Sequence, residues 1–465
     1  MGVRQWTVVF LCAVFAVASH AQTFTSLASF SDQTGAEPQF LGQRTDGTLW
    51  ITASSEGAYD CGTAFQATLV GNLSGFRNFK CTNGDGPQGL TLGKDGNYYG
   101  VTFFGGSGNG GTVFKLTSGG ALSVLYDFTL DGITGSGPVG TLALGPDGNF
   151  YGATYSSSSS NSYMGTLFKV TPSGTLTTFY TFCLVYGCPD GLQPYSSPIL
   201  GRDGNFYGTT CGGGAHGGGT VYKITPQGKL TTLYSLGGFA GDPTCPTAPL
   251  IQGTDGNFYG TTGQSGAYNY GAVFKVSPSG TFTVLHNFDN TDGYNPIELM
   301  QATDGNLYGT TGGIDNQDTG SIFQMSLAGN ITTLHTFDGT DGTNPIMLIQ
   351  HTNGVLYGVT AGGGDVSCAY DPSYGCGTIF SLDVGLGPFV EMVPNHGAVG
   401  ASVIILGTNF QGVKSVSFNG IEAQFTVKSS SAILTTVPLG AMTGKVTVAD
   451  SNGTLRSNVS FTVTK

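Results

Sequence analysis

Charged residues are scarce in this chain. Asp, Glu, Lys and Arg make up 9% of the sequence, whereas about 25% is usual for soluble domains. The 16 Lys and Arg residues stand against 28 acidic residues, and the formal net charge is −12. The basic residues form no cluster in the sequence. Because phosphate backbones are bound through clustered Lys and Arg, nucleic acid is excluded as a partner.

Long apolar runs are missing beyond the N-terminus. One run, residues 6–17, follows Arg4 and precedes the sequence Ser19-His20-Ala21. It is shorter than the about 20 residues of a membrane-spanning helix. Residues 1–21 are therefore predicted to be a secretory signal peptide, with a short N-terminal anchor as the alternative. The mature chain is expected to be secreted or at the cell surface, with no membrane span after signal removal.

Cysteines are few, and their number in the predicted mature chain is even. Of nine Cys residues, Cys12 lies in the predicted signal peptide, which leaves eight. An even number in an exported chain favours disulfides. The spacing favours four local pairs, although other connectivities are open: Cys61–Cys81, Cys183–Cys188, Cys211–Cys245 and Cys368–Cys376. The sequence lacks the CxxC or Cys/His spacing of a zinc site, and no metal ligands are assigned.

Glycine is abundant, with 78 residues, and much of it belongs to a repeat. The repeated pattern is DGNFYGTT, residues 203–210. Its seven copies are spaced 49, 52, 56, 52, 49 and 49 residues apart, and they begin at Asp46, Asp95, Asp147, Asp203, Asp255, Asp304 and Asn353. A period near 50 with several strands per unit is typical of a β-propeller.

Each repeat is predicted to contain four antiparallel strands. In one unit these are residues 138–144, 149–154, 165–170 and 175–182, with Asp-Gly and Ser-Gly turns between them. The Gly that follows the Tyr of each motif is expected where neighbouring backbone approaches closely. The Asp-Gly and Ser-Gly turns would share one face, and the long variable loops after the second and fourth strands would share the other.

The last repeat, from about residue 344 to 382, has no fourth strand. Residues 23–30 have the fourth-strand pattern and precede the first repeat. We therefore expect the N-terminal strand to complete the last blade and close the ring, which removes the open edges. An open β-solenoid is the alternative, and it would require capping units. The predicted fold is all-β: a seven-bladed propeller over residues 22–385 and an Ig-like β-sandwich over 386–465.

Two families are similar to this sequence. The repeats, with the pattern DGNFYGTTxxGG…GTVFKxTPSGTLTTLYSF over about residues 23–384, resemble the GloVer choice-of-anchor tandem repeat of secreted bacterial proteins. The tail resembles the IPT/TIG Ig-like domain through four segments: Pro394-x-x-Gly397-x-x-Gly400, Ile405-x-Gly407-x-Asn409-Phe410, Val416-x-Phe418-x-Gly420 and Val437-Pro438-x-Gly440-Ala441-x-x-Gly444. The first resemblance implies no activity, and the second implies a spacer or adhesion module.

Acidic residues recur in the loops between the fourth strand and the next repeat. They are Asp127, Asp131, Asp190, Asp242, Asp289, Asp292, Asp338 and Asp341. Clustered carboxylates are typical calcium ligands, but Asp and Gly also form turns. Because the sequence lacks an EF-hand pattern, the turn interpretation is favoured and no cofactor is assigned, with calcium as the alternative.

Aromatic residues and one histidine are the other candidate ligand-binding residues. His216 lies among glycines in a predicted loop, and tyrosines crowd the loops between second and third strands. Loop tyrosines can stack on a sugar, or they can simply cover the blades. With Asp292 and Asp341, the candidates are His216, Tyr155, Tyr163, Tyr268 and Tyr270. No catalytic residue is assigned.

These features favour a binding or adhesion protein over an enzyme. The long-loop face would bind an extracellular glycan or protein, since variable loops on a rigid scaffold commonly carry function. One alternative is a polysaccharide-active hydrolase or lyase that uses acids such as Asp131, Asp190, Asp292 and Asp341. A structural component of the cell envelope is the other alternative.

Overall fold

The computed structural model describes residues 22–130, 134–156, 164–313, 319–368, 374–451 and 453–464. The predicted signal peptide lies outside these residues. The described chain consists of β-strands and one 3₁₀ turn at Cys81–Asn83. No helix in it is long and apolar enough to cross a membrane.

Seven four-stranded antiparallel sheets are formed by the repeats. Strand β1 (Thr23–Ser29) begins the described chain. Sheet 1 contains β2 (Ala36–Gln43), β3 (Leu49–Ser55), β4 (Thr63–Ala67) and β5 (Leu73–Asn78). Sheet 2 contains β6 (Asp85–Leu92), β7 (Tyr98–Phe104), β8 (Asn109–Leu116) and β9 (Leu122–Thr129). Sheet 3 contains β10 (Ser136–Leu144), β11 (Phe150–Ser156), β12 (Thr166–Val170) and β13 (Leu176–Thr181).

The remaining sheets follow the same order. Sheet 4 contains β14 (Ile199–Leu200), β15 (Phe206–Thr210), β16 (Thr220–Ile224) and β17 (Leu230–Ser235). Sheet 5 contains β18 (Ile251–Gln252), β19 (Phe258–Thr262), β20 (Ala272–Val276) and β21 (Phe282–Asn287). Sheet 6 contains β22 (Tyr294–Gln301), β23 (Leu307–Gly312), β24 (Ser321–Met325) and β25 (Ile331–Thr336). Sheet 7 contains β26 (Thr343–Gln350), β27 (Leu356–Gly362), β28 (Thr378–Asp383) and, as its outer strand, β1.

Strand β1 is the fourth strand of sheet 7, although the two stand at opposite ends of the repeat region in the sequence. It pairs antiparallel with β28, so that Thr23 lies opposite Asp383 and Ser29 lies opposite Thr378. This is the pairing that the displaced fourth strand predicts.

Consecutive sheets contact each other through a repeated glycine–proline pair. This Gly, within or just before the third strand of one sheet, has a positive φ. A Cβ there would lie 2.4–2.6 Å from the Cδ of a Pro that is in the first strand of the next sheet or, for Pro194, precedes it. These pairs are Gly62–Pro87, Gly111–Pro138, Gly165–Pro194, Gly271–Pro296 and Gly320–Pro345. Gly377 of sheet 7 makes the same contact with Pro38 of sheet 1, at 3.2 Å. The last sheet thus packs on the first as consecutive sheets pack on each other.

Hydrogen bonds explain why the DGN motif recurs. Asp95 Oδ1 accepts the backbone N–H of Asn97 at 3.1 Å, while Oδ2 accepts the Asn97 side chain at 2.7 Å, the Tyr99 hydroxyl at 2.8 Å and Lys115 Nζ at 3.0 Å. Burial alone would raise the pKa of Asp95, but these bonds lower it to about 2. The bonds to the backbone, Asn and Tyr recur at Asp147, Asp203, Asp255 and Asp304. The motif therefore holds a turn and its adjacent strand.

The Gly after the motif Tyr lies against an aromatic ring of the third strand. At each such Gly, a Cβ would come within 2.2–2.6 Å of the ring or its hydroxyl. The pairs are Gly100–Phe114, Gly152–Phe168, Gly208–Tyr222, Gly260–Phe274, Gly309–Phe323 and Gly358–Phe380. Backbone also approaches three of them, Gly100, Gly309 and Gly358, but the ring is the contact common to all six. The expectation that neighbouring backbone requires this Gly thus describes only part of the cause.

Replacing Gly260 with alanine is expected to destabilise the protein by about 1–3 kcal/mol, because the new methyl group overpacks the core. Its Cβ would lie 2.5 Å from Phe274 Cζ and 2.9 Å from Leu250 Cδ2. Urea unfolding would measure the change. Gly387→Ala is the control, since no atom lies within 4 Å of that Cβ position. Equal stability of the two variants would show that the ring does not require the glycine.

The tail forms a two-sheet sandwich. Its strands are β29 (Glu391–Val393), β30 (His396–Gly397), β31 (Ser402–Leu406), β32 (Ser415–Phe418), β33 (Ile421–Ala423), β34 (Phe425–Ser429), β35 (Ala432–Thr436), β36 (Val446–Ala449), β37 (Thr454–Arg456) and β38 (Thr462–Val463). One sheet has the order β29-β31-β35-β34, the other has the order β33-β32-β36-β37, and β30 pairs with β38 in parallel.

The propeller has two distinct faces. We call the face with the Asp-Gly turns the turn face, and the face with the long loops after second and fourth strands the loop face. Alternate residues of β31 separate two cores: Val403 and Ile405 lie in the sandwich core, whereas Ile404 and Leu406 pack in a core that includes Trp50 and Tyr98 of the repeats. Hydrogen bonds from Ser429 to Thr45 and from Asn458 to Gln301 join the same surfaces. The tail therefore covers the turn face and leaves the loop face free.

Candidate binding site on the loop face

The acids predicted in the loops form hydrogen bonds within their own loops and with the preceding strand. His286 Nε2 lies 2.6 Å from Asp292 Oδ2, and Asp292 Oδ1 accepts the backbone N–H of Asp289 at 3.1 Å. His335 and Asp341 form the same arrangement at 2.8 Å. In both cases a residue of the fourth strand fixes an acid of the following loop, so the histidines do more than pack within their strands.

Tyrosines take the place of histidine in two other sheets. Tyr180 donates to Asp190 at 2.7 Å, and Tyr234 donates to Asp242 at 3.3 Å. Burial, followed by the bond to Asp190, raises the pKa of Tyr180 strongly. These acids are thus engaged in loop structure, as the turn interpretation predicts. Asp131 lies outside the described residues.

The described part of the chain contains two groups of side chains of the types that bind metals, and both include cysteines. The two clusters of three His, Cys, Asp or Glu side chains are Asp32 with Cys368 and Cys376, and Asp85 with Cys61 and Cys81. In both, the sulfurs belong to disulfides, so they cannot act as thiolate ligands.

Four disulfides lie in the loops of this face. The structure pairs Cys61 with Cys81, Cys183 with Cys188, Cys211 with Cys245, and Cys368 with Cys376. These are the four local pairs that the spacing favours. Cross-links that close long loops restrict the unfolded chain, so they hold this face in shape.

The other predicted ligand-binding residues are spread over the loop face. His216 is exposed beside Gly238, and Tyr268 is 58% exposed. Tyr270 packs edge-on against Tyr294, with ring centroids 5.6 Å apart. Tyr163 lies outside the described residues.

Seven residues with a left-handed backbone conformation lie near the start of the first strands, one in each sheet. We call them the ring residues. In each sheet, one residue within or shortly before the first strand, directly followed by Pro, has a φ between 51° and 66°. The seven are Glu37, Gly86, Gly137, Gln193, Cys245, Asn295 and Asn344. Five are not glycine, and such a backbone is strained for other residues and is concentrated at functional sites.

Each of these residues except Glu37 contacts the end of the second strand of the preceding sheet. The six contacts are Ser54–Gly86, Phe103–Gly137, Tyr155–Gln193, Cys211–Cys245, Gly263–Asn295 and Gly312–Asn344. One contact is a disulfide, two place Asn beside Gly, and two involve an aromatic ring. The same scaffold position therefore carries different chemistry in each sheet.

Three aromatic side chains, Phe103, Tyr155 and Tyr195, form a row across sheets 2, 3 and 4, next to the ring residues of those sheets. The centroids of Phe103 and Tyr155 are 6.2 Å apart, and those of Tyr155 and Tyr195 are 5.2 Å apart. Gln193 Nε2 donates to the Tyr155 hydroxyl at 3.4 Å. The hydrogen bond with Tyr195, and then burial, raises the pKa of Tyr155 to about 12. Tyr155 is thus neutral at physiological pH.

In sheets 6, 7 and 1 the ring residues are two amides and one carboxylate: Asn295, Asn344 and Glu37. Asn344 Nδ2 donates to the Tyr374 hydroxyl at 3.0 Å, and Asn295 Oδ1 lies beside Gly263. Burial raises the pKa of Tyr374, and the charge of Glu37 adds to that effect. Rings that offer flat apolar faces, beside amides and hydroxyls that donate and accept, match the mixed surface of a sugar.

Sequence reasoning identified Tyr155 but not its neighbours. Phe103, Gln193 and Tyr195 were not predicted. The missed signal is the Pro that follows each of the seven ring residues, Glu37, Gly86, Gly137, Gln193, Cys245, Asn295 and Asn344. Aligning the repeats on this Pro brings the ring residues into one column.

Solved structures resemble this chain in fold. A fungal alcohol oxidase of the AA5 family, in complex with copper, is 13% identical with a TM-score of 0.54, and the match covers 96% of this chain and 100% of that one. A candidate 6-phosphogluconolactonase from Bacteroides fragilis is 20% identical with a TM-score of 0.46, covering 65% and 85%. A luciferin-regenerating enzyme is 12% identical with a TM-score of 0.43, covering 79% and 97%.

The likeness to the alcohol oxidase concerns the fold alone. The two clusters of donor side chains among the described residues contain cystine sulfurs, so they do not fit a copper ion. No curated protein matches the chain.

Family models match nearly the whole sequence. The model of the Gloeobacter/Verrucomicrobia repeat matches residues 10–189 and 185–380. The model of the IPT/TIG domain matches residues 389–463. The repeat model ends at residue 380 and the IPT/TIG model begins at residue 389. This boundary lies where the seventh sheet ends and the sandwich begins. The chain belongs to the Gloeobacter/Verrucomicrobia repeat family and carries a C-terminal IPT/TIG domain.

Proposed function

We propose that this protein is a secreted bacterial binding protein whose loop face binds an extracellular glycan. The repeats and the IPT/TIG domain fit an extracellular protein of the binding or adhesion type, and the four disulfides fit an oxidising compartment. The signal peptide at residues 1–21, the propeller at 22–385 and the Ig-like domain at 386–465 are the parts of this proposal. The Ig-like domain would act as a spacer.

The observation that carries the proposal is the aromatic row of Phe103, Tyr155 and Tyr195 with Gln193 beside it. These side chains belong to three different sheets: Phe103 and Tyr155 lie near the ends of β7 and β11, and Tyr195 lies in the connection that leads to β14. Rigid aromatic platforms contribute contact area with little loss of conformational freedom. An amide within hydrogen-bond distance of the row supplies a partner for sugar hydroxyls.

The position of the tail supports the same proposal. Because it packs on the turn face, the loop face can approach a large polymer without obstruction. Most exposed large apolar side chains of the repeats are also on the loop face: Tyr59, Phe104, Leu130, Leu184, Val185, Tyr186, Tyr195, Phe239, Tyr268 and Val366. A surface of this kind is typical of an interaction site.

Tyr195→Ala is expected to weaken binding to the recognised polysaccharide about tenfold, because it removes one stacking platform. Affinity electrophoresis against a panel of bacterial and plant polysaccharides would measure the change. Val70→Ala is the control, since Val70 is 73% exposed in the turn between β4 and β5 on the turn face, and it should bind as the unchanged protein does.

Three results would count against the glycan proposal. No retention on any polysaccharide would reject it, and equal binding by Tyr195→Ala would remove the aromatic row from it. Retention on cell envelopes that survives periodate oxidation of their sugars would assign a protein partner instead.

A further inference from the structure

Negative charge is concentrated in the propeller rather than in the tail. Residues 22–385 contain 25 acidic and 10 basic residues, whereas residues 386–465 contain three and five. Six of the propeller acids begin the repeated motif on the turn face, and three of these six, Asp46, Asp95 and Asp203, form salt bridges with Arg or Lys. Another 13 acids of the described chain lie in the loops of the loop face or at the strand ends beside them.

The loop face has little positive charge to balance these acids. Lys80 is the one Lys or Arg in its described loops, and its Nζ lies 5.3 Å from the centre of the Tyr59 ring. Arg77, near the end of β5, points elsewhere, since its Nη2 donates to the carbonyl of Gly119 in the β8–β9 turn at 3.3 Å. Four acids of the loop face are exposed and form no salt bridge with Lys or Arg in the described chain: Asp60, Asp289, Asp338 and Asp365.

Two carboxyl groups border the aromatic row at its sheet 2 end. Asp85 lies opposite Phe104 in the pairing of β6 with β7, and the ring of Phe104 packs on that of Phe103 with centroids 4.5 Å apart. Glu37 Oε2 accepts a hydrogen bond from Ser54 Oγ at 3.2 Å, and both Ser54 and Phe103 adjoin the ring residue of sheet 2. The apolar row therefore continues into negatively charged acceptors.

We propose that the glycan bound by the loop face carries free amino groups, as a polymer of glucosamine does, and that acidic glycans are excluded. This inference rests on the proposed function and adds the substrate class. Protonated amines would donate charge-assisted hydrogen bonds to Glu37 and Asp85, while the sugar rings pack on the aromatic row. Uronic acids and sulfate groups would meet charges of their own sign, which weakens association.

Two oligosaccharides with the same backbone test the need for positive charge: a hexamer of glucosamine and its fully N-acetylated form. Isothermal titration at about pH 5.5 keeps exposed carboxyls ionised, since their pKa values are about 4, and keeps the amines protonated. We expect the glucosamine hexamer to bind about tenfold more tightly than the N-acetylated one. Its affinity should fall as NaCl rises from about 0.01 M to about 1 M, because the Debye length shortens from about 30 Å to about 3 Å.

Glu37→Gln should weaken binding of the glucosamine hexamer about three- to fivefold, since it removes one ion pair, and should affect the N-acetylated hexamer less. The backbone accepts this change, because Gln193 is the ring residue of sheet 4 with a φ of 59°, close to the 54° of Glu37. Asp85→Asn is the second variant, should the first fail to fold. Glu422→Gln removes the same charge at an exposed position of the tail and should change neither affinity. Tyr195→Ala should weaken the binding of both hexamers.

The outcomes separate this inference from the proposed function. Equal affinities for the two hexamers, an affinity independent of salt, equal weakening by Glu422→Gln, or retention only on neutral polysaccharides or on polygalacturonate would overturn the amine requirement and leave a glycan site in place. Salt-dependent binding of polylysine without binding of either hexamer, weakened by Glu37→Gln but not by Tyr195→Ala, would overturn both and assign the face to a cationic protein. No binding to any polysaccharide would reject the proposed function and this inference with it.

Discussion

Replacing Phe30 with alanine is expected to lower the free energy of unfolding by about 3–5 kcal/mol. Phe30 directly follows β1 and is fully buried in a core shared by sheets 1 and 7. Its ring packs edge-on against Phe65 of sheet 1 at 5.4 Å, and its N–H donates to Gly377 of sheet 7 at 2.9 Å. The alanine variant would leave a cavity between the first and last sheets.

Urea unfolding followed by circular dichroism would measure this loss. Phe239→Ala is the control, because Phe239 is 62% exposed on the loop face, and its effect should stay within about 0.5 kcal/mol. If Phe30→Ala were no more harmful than the control, the N-terminal segment would not be holding the two sheets together, and ring closure through β1 would be wrong.

Glu298→Gln is expected to make the stability of the protein less dependent on pH. Glu298 is half-buried on β22, the first strand of sheet 6, and desolvation by the surrounding protein raises the pKa of its carboxyl to about 8. Its side chain has no hydrogen-bond partner among the described residues that would offset this burial. In the unfolded chain the same group has a pKa of about 4.3.

The direction of the effect follows from these two values. Below about pH 4 the carboxyl is protonated in both states and contributes no pH dependence. As the pH rises from about 4 to 8, the unfolded state loses the proton first, so the folded state becomes progressively less stable. Above pH 8 the penalty is constant, on the order of a few kcal/mol at most. Glutamine carries no such penalty.

Comparison of the two proteins by urea unfolding between pH 4 and 9 would isolate this group, since the other charges are common to both. We expect the Glu298→Gln variant to gain stability relative to the unchanged protein as the pH rises to 8. Glu422→Gln, at an exposed position of the tail, should follow the unchanged protein. Parallel pH profiles for Glu298→Gln and the unchanged protein would contradict the burial of a protonated carboxyl.

Much of the fold could be predicted because its signals are local. The DGN turn is held by bonds from Asp95 to residues two and four positions away, together with one to Lys115. The displaced strand could be identified because residues 23–30 repeat a pattern found six other times. The glycine after each motif Tyr was correctly singled out, but its aromatic partner lies on another strand and was not identified.

The candidate site was only partly predictable. Tyr155 was among the candidate residues, yet so were Tyr268 and His216, which stand apart from it on the same face. A loop tyrosine has the same local sequence signal whether it joins a row or points to solvent. The residues that make Tyr155 part of a site, Phe103 and Tyr195, are 52 and 40 positions away in the chain.

Local patterns in the amino-acid sequence predicted the number of repeat sheets and the strand order within each, and they favoured the four disulfide pairs, because each depends on residues close in sequence or on a strict repeat. Only the tertiary structure decided which loop residues meet at the ring, and that the tail covers the turn face. Those contacts join sheets and domains far apart in the chain, and packing of buried surfaces sets them rather than any local pattern.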